Sequence, residues 1–175
     1  MPYSVELFLD PDASQKIAAQ WESLVNAEVP TGLEETGYTP HVTIAVCEEL
    51  DLEAFDKAFK AFGERVWFPT LTLSHLGLFP PPAGVLFLGL TPHDRLMDIQ
   101  REFHHLFADY AESTWEYYHP GQWVPHCTLA NELTPGQIPR AFSALAPARM
   151  PIEAQVHAVA IVELPSRKVL RQVLQ

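Results

Sequence analysis

A six-residue stretch that occurs twice constrains this chain more than any other feature. Pro40-His41-Val42-Thr43-Ile44-Ala45 returns 85 residues later as Pro125-His126-Cys127-Thr128-Leu129-Ala130, with four of six positions identical. The surrounding pattern recurs at nearly the same offset, each half reading strand, helix, loop, strand, helix, strand. An internal duplication giving two α+β lobes is the simplest origin of such a repeat. The 175 residues suffice for one domain or two tightly fused half-domains. The expectation is a single domain of residues 1–175 with lobes at about 1–79 and 83–175, joined through Pro80-Pro81-Pro82 in the segment 76–84.

The elements follow from periodicity and punctuation. Tyr3, Val5, Leu7 and Leu9 alternate with polar residues as a half-buried strand does. Asp10-Pro11 predicts a capped helix with Ile17, Trp21, Leu24 and Val25 on one face. Residues 28–37 read as a loop, 40–47 as a strand, and Asp51 as the cap of a helix with Leu52, Phe55, Phe59 and Phe62 buried and Gly63 as its stop. A strand is expected around 66–75. The second half offers a strand at 85–90, a helix started by Thr91-Pro92-His93-Asp94, an aromatic loop, a strand at 124–130, a short helix from Thr134-Pro135, a long strand at 152–164, and a last strand at 169–174 after a turn at Pro165-Ser166.

Alternation places His41 and Thr43 on one face of their strand and Val42 and Ile44 on the other; His126 and Thr128 repeat this, with Cys127 and Leu129 behind them. If the lobes meet about a pseudo-twofold axis, two imidazoles and two hydroxyls share one cleft. Displacement at phosphorus needs a base for the attacking oxygen and an acid for the leaving one, and a neutral and a protonated His supply both near neutral pH. Thr hydroxyls can donate to the non-bridging oxygens as their charge grows. A duplicated fold alone has no need to keep His and Thr on the non-core face of both copies. His41 and His126 are therefore the candidate catalytic residues, and Thr43 and Thr128 the candidate phosphate-binding residues.

Charge limits the ligand. Eleven Lys+Arg against 22 Asp+Glu give −11, and residues 1–63 alone carry 12 acids and 3 bases. Duplex DNA and long RNA are held by many phosphate contacts, which this chain lacks unless folding gathers Arg95, Arg101, Arg140 and Arg149 into a groove. Two cysteines without CxxC spacing, no apolar run long enough to span a membrane, and no secretory leader give a cytoplasmic expectation. No metal is expected either, since His-x-Thr offers one good ligand per strand.

Paired H-x-T motifs about this far apart in a chain of this length resemble those of the 2H phosphoesterases, the superfamily of the bacterial 2′-5′ RNA ligase and cyclic nucleotide phosphodiesterases. The resemblance covers essentially the whole chain. It implies a metal-independent phosphodiesterase without cofactor, acting on 2′,3′-cyclic phosphates or 2′-5′ linkages, with His41, Thr43, His126 and Thr128 as the two motifs. The corresponding fold is α+β and bilobal, with antiparallel sheets lining a central cleft and helices outside. Expected partners are a small cyclic nucleotide or a short RNA terminus, with no duplex DNA and no membrane, and the protein is expected to be a monomer. Two other readings stand beside this one: a non-catalytic nucleotide or RNA-end binding module, and a metal-dependent hydrolase using both histidines as ligands.

Among Trp115, Tyr117, Tyr118 and Trp123, the rings of Tyr118 and Trp123 are the candidates for stacking on a base. Lobe packing is the competing use of these rings. His93, His104 and His105 read as solvated, His75 as structural, and Cys127 as facing away from His126 and therefore not a nucleophile.

Overall fold

The computed structural model describes residues 1–33 and 38–175, so part of the expected 28–37 loop, including Gly37, lies outside the described residues. Strand β1 (Tyr3–Leu9) sends Val5, Leu7 and Leu9 into the core and turns Ser4, Glu6 and Phe8 the other way. Helix α1 (Pro11–Asn26) starts where expected, the Asp10 carboxylate accepting from the N–H groups of Asp12 and Ala13 at 3.1 and 3.0 Å. Val25, expected on its buried face, is exposed. Strand β2 (His41–Leu50) and helix α2 (Leu52–Arg65) follow, with Asp51 capping α2. Gly63 does not stop α2. It lies inside the helix under Val173, where a Cβ would come within 2.8 Å of that side chain, so close approach rather than termination requires it.

Strand β3 (Leu71–Phe79) begins later than expected and runs into the supposed joint, leaving only a tight connection to β4 (Val85–Leu90). Helix α3 (Asp94–Ala108), strand β5 (Ala111–Thr114), one 3-10 turn (Glu116–Tyr118), strand β6 (His126–Ala130) and helix α4 (Ile138–Leu145) come next. The expected long strand at 152–164 is two strands, β7 (Ile152–Ala154) and β8 (Val156–Glu163), before the final β9 (Lys168–Leu174). Asp10 causes the break: its carboxylate takes the Gln155 N–H at 2.6 Å while its own N–H donates to the Gln155 carbonyl at 2.9 Å. Pinned there, the chain leaves one sheet and enters the other.

Two antiparallel sheets result, ordered β5-β2-β1-β8-β9 and β6-β4-β3-β7. The cores β2-β1-β8 and β6-β4-β3 correspond under the repeat, each taking two strands from its own half and a third from the other. The sheets therefore do not coincide with the two sequence halves. Helix α1 packs against β6, β7 and α4, while α2 and α3 pack against β9, β2 and β5. Phe55 and Phe62 of α2 meet Phe103 and Phe107 of α3 with ring centroids 4.9–6.2 Å apart. Each such ring contributes roughly 1.5–3 kcal/mol by burial, which fixes the outer layer rigidly behind the first sheet.

Candidate active site

Both motif histidines are locked in the same way. His41 Nδ1 lies 2.7 Å from the Thr39 carbonyl, and His126 Nδ1 lies 2.7 Å from the Val124 carbonyl, each two residues upstream. A carbonyl only accepts, so both Nδ1 atoms carry hydrogen and the neutral rings keep their lone pairs on Nε2. Strands β2 and β6 adjoin between the sheets, with the Cys127 thiol buried on the core face of β6. As expected from alternation, that thiol faces away from the imidazoles, and burial pushes it up to about 12.

The two threonines are held crosswise by aromatic residues of the opposite half. Trp21 donates its indole N–H to the Thr128 carbonyl at 3.4 Å, and the Tyr38 hydroxyl lies 3.4 Å from His41 Nε2. In the mirror arrangement, Trp123 donates to the Thr43 carbonyl at 2.9 Å. Burial raises the phenols of Tyr38 and Tyr118, the latter to about 12, so both remain protonated at neutral pH. Trp123 is only 4 % exposed and offers no surface for a base; the stacking expectation fails there because the ring is consumed in packing. Tyr118 is half-buried, while Trp115 and Tyr117 are exposed.

The symmetry of the frame is not carried into its chemistry. Glu6 pairs with Thr43 across β1 and β2, and Phe87 pairs with Thr128 across β4 and β6. One imidazole therefore faces a carboxylate and the other a phenyl wall. Glu6 Oε1 is 3.5 Å from His41 Nε2, whereas His126 is enclosed by Phe87 and Phe79, with ring centroids 5.0 and 5.2 Å away. Glu6 is fully buried, held by Arg167 at 2.7 and 2.8 Å and by Ser4 Oγ at 2.6 Å. Burial alone would raise its carboxyl, but the charges of His41 and Arg167 and these hydrogen bonds hold it below the ordinary range. His41 is pushed down by burial, with Glu6 opposing and Arg167 adding to the effect, so its contact with Glu6 at neutral pH is that of a neutral imidazole. Burial also lowers His126, the Val124 carbonyl opposing and the His41 charge reinforcing the shift.

Glu6, Arg167, Tyr38 and Trp21 escaped the sequence reading. Glu6 looks like an ordinary polar residue of an alternating strand, and Arg167 arrives from a turn that the linear sequence places 161 residues away. Tyr38, three residues before His41, carried the best available signal. His75 lies on the same face as His126, its ring folded over Gly89, where a Cβ would sit 2.2 Å from Nε2. His104 is not simply solvated: its ring stands 4.8 Å from that of His119, and its Nε2 is buried without a hydrogen-bond partner among the described residues. His93 caps α3 by accepting from the Arg95 N–H. Arg101 and Arg140 pair with Asp98 and Glu28. Among the described residues no group of three or more His, Cys, Asp or Glu is arranged to hold a metal ion, and no helix is long and apolar enough to cross a membrane.

Adjoining β2 and β6 thus carry two Nε2 atoms and two Thr hydroxyls beside one half-buried cation, a set that can exchange protons with, and donate hydrogen bonds to, a phosphoryl group. Comparison with curated proteins gives no match. Among solved structures, Kluyveromyces marxianus Usb1 with uridine monophosphate is similar in fold, with a TM-score of 0.51 over 99% of this chain and 97% of that one at 11% identity. A family model of the 2′-5′ RNA ligase superfamily matches residues 57–167, which include the second motif; the first motif joins it through the repeat and the shared cleft. With more than half of its length matched and this architecture around it, the chain belongs to the 2′-5′ RNA ligase superfamily, the 2H phosphoesterases that its paired motifs resemble.

Proposed function

We propose that the protein is a metal-independent phosphodiesterase that opens 2′,3′-cyclic phosphates, or cleaves 2′-5′ linkages, in nucleotides or short RNA termini. The observation that carries this reading is the matched locking of His41 and His126 through Nδ1, which leaves Nε2 of each neutral ring as the acceptor, on strands β2 and β6 that adjoin. One neutral imidazole takes a proton from water as its oxygen attacks phosphorus. The other, protonated, gives a proton to the ribose oxygen as the P–O bond breaks, leaving a phosphomonoester and a free hydroxyl. Thr43 and Thr128 donate to the non-bridging oxygens. The family match supports phosphoester chemistry, and the uridine monophosphate named with the fold neighbour supports a nucleotide-sized ligand.

The test is hydrolysis of 2′,3′-cyclic mononucleotides and 2′-5′ dinucleotides with EDTA present. Turnover that survives chelation and disappears in His126→Ala is the expected result. Tight nucleotide binding with no product on long incubation would identify a binding module, and loss of turnover with EDTA a metal enzyme.

A further inference from the structure

Strand β3 changes, partway along, which face of the second sheet its side chains occupy. Leu71 and Leu73 are buried in the core, yet the pairing with β4 runs from Leu73–Leu90 directly to His75–Gly89, so Ser74 is an extra residue. A bulge of this kind re-aims the side chains beyond it. Simple alternation would send His75 to the side of Leu73. The bulge puts it instead on the face of Gly89, which pairs in turn with His126 of β6.

Gly89 completes the arrangement. A Cβ there would stand 2.2 Å from His75 Nε2 and 2.4 Å from Cε1, so only a residue without a side chain lets the outer edge of the imidazole lie over β4. Paired Cα atoms of antiparallel strands are about 4.5–5.5 Å apart, which puts that edge roughly one strand spacing from the His126 backbone. In the two rows His75-Gly89-His126 and Gly77-Phe87-Thr128, the hydrogen-bonding side chains are the two motif residues and His75.

His75 differs from the motif histidines at its inner nitrogen. Theirs face carbonyls, which makes Nε2 of the neutral ring an acceptor, whereas His75 Nδ1 faces the Ser74 hydroxyl at 3.0 Å, a group that gives or takes a hydrogen. With Ser74 donating, neutral His75 carries its hydrogen on Nε2; with Ser74 accepting, the protonated ring carries one there as well. An exposed imidazole that donates from Nε2 in both states suits an anion. Arg167, the cation beside the first motif, is already held by both oxygens of Glu6.

Resting on the phosphodiesterase reading above, we propose that His75 is a substrate-binding residue that receives the 5′-phosphate of the nucleotide whose 2′,3′-cyclic phosphate lies at His126 and Thr128. The preferred substrates are then nucleotides that carry a 5′-phosphate, free or within an RNA end, rather than nucleosides bearing the cyclic phosphate alone. One imidazole reaches one phosphate, so chain beyond it adds no further contact.

The test compares adenosine 2′,3′-cyclic phosphate with its 5′-phosphorylated form and with its uncharged 5′-acetyl ester. In the wild type the 5′-phosphate should raise kcat/KM about tenfold, the equivalent of one hydrogen bond to a charged group, and the acetyl ester should bring no advantage. The advantage should fall to near one in His75→Phe, which keeps a ring but no nitrogen, and shrink likewise in Gly89→Ala, which pushes the imidazole aside. Adenosine 2′-phosphate with and without a 5′-phosphate, bound by calorimetry, should show the same ratios in Kd. A wild-type ratio near one in turnover and binding, a ratio unchanged in His75→Phe, or an equal advantage for the acetyl ester overturns the proposal and leaves the phosphodiesterase reading intact. Absent turnover with the binding ratio intact overturns the enzyme reading alone, and a wild type that neither turns over nor binds these nucleotides overturns both.

Discussion

Arg167 grips Glu6 with two parallel hydrogen bonds of 2.7 and 2.8 Å, closing the first β-sheet over the reactive nitrogen of His41. The pair is bidentate and nearly dry, with side-chain exposures of 12% and 0%, so it is shielded as surface ion pairs are not.

Removing one partner should leave a buried charge unmatched. Arg167→Met is expected to cost about 3–5 kcal/mol in urea unfolding at pH 7. Glu6→Gln combined with Arg167→Met should recover much of that loss, because no bare charge remains. A double mutant as unstable as the sum of the singles would show that the loss came from packing on Tyr38 instead.

Acid and base are both needed, so His41→Ala and His126→Ala should each reduce turnover by about 100-fold or more, with the double mutant far from multiplicative. Thermal unfolding should show both single mutants folded. Near-normal turnover in either would exclude the paired-imidazole mechanism.

The lowered histidines set two pH dependences. Both ordinary values are 6.5 and both are depressed in the folded protein, so the folded state binds fewer protons than the unfolded chain in acid. Stability should therefore be complete above pH 6.5 and decline as pH falls through the depressed values, with Glu6 adding a second loss below its ordinary 4.5. Because one ring must be protonated in the free enzyme, kcat/KM should be bell-shaped with its maximum on the acid side of 6.5. Urea unfolding and initial rates measured from pH 4 to 9 check both. A rate that climbs steadily to pH 10 would contradict the second.

Substrate length should matter little to affinity. Arg65, Arg101, Arg140 and Arg171 each sit beside a carboxylate, and the chain carries a net charge of −11. A long RNA ending in a cyclic phosphate should show a KM that stays flat or falls as salt rises, since screening relieves long-range repulsion. Kinetics across a series from low to physiological ionic strength decide it. A KM that rises steeply with salt would mean that several phosphates are being neutralised.

Local chemistry settled much of this protein before any folding was considered. Period-2 alternation set which face of β2 and β6 carries His and Thr, the Asp10 and Asp51 caps started α1 and α2, and the 85-residue repeat required two related halves around one cleft. These signals are legible because each depends on neighbours within a few residues or on a comparison of the chain with itself. The exchange of β3 and β8 between sheets, the crossed tryptophans on Thr43 and Thr128, and the carboxylate opposite one imidazole were decided by tertiary structure. Glu6 and Arg167 show why: a buried charge is tolerated only where a distant partner neutralises it, and no local pattern records a partner 161 residues away.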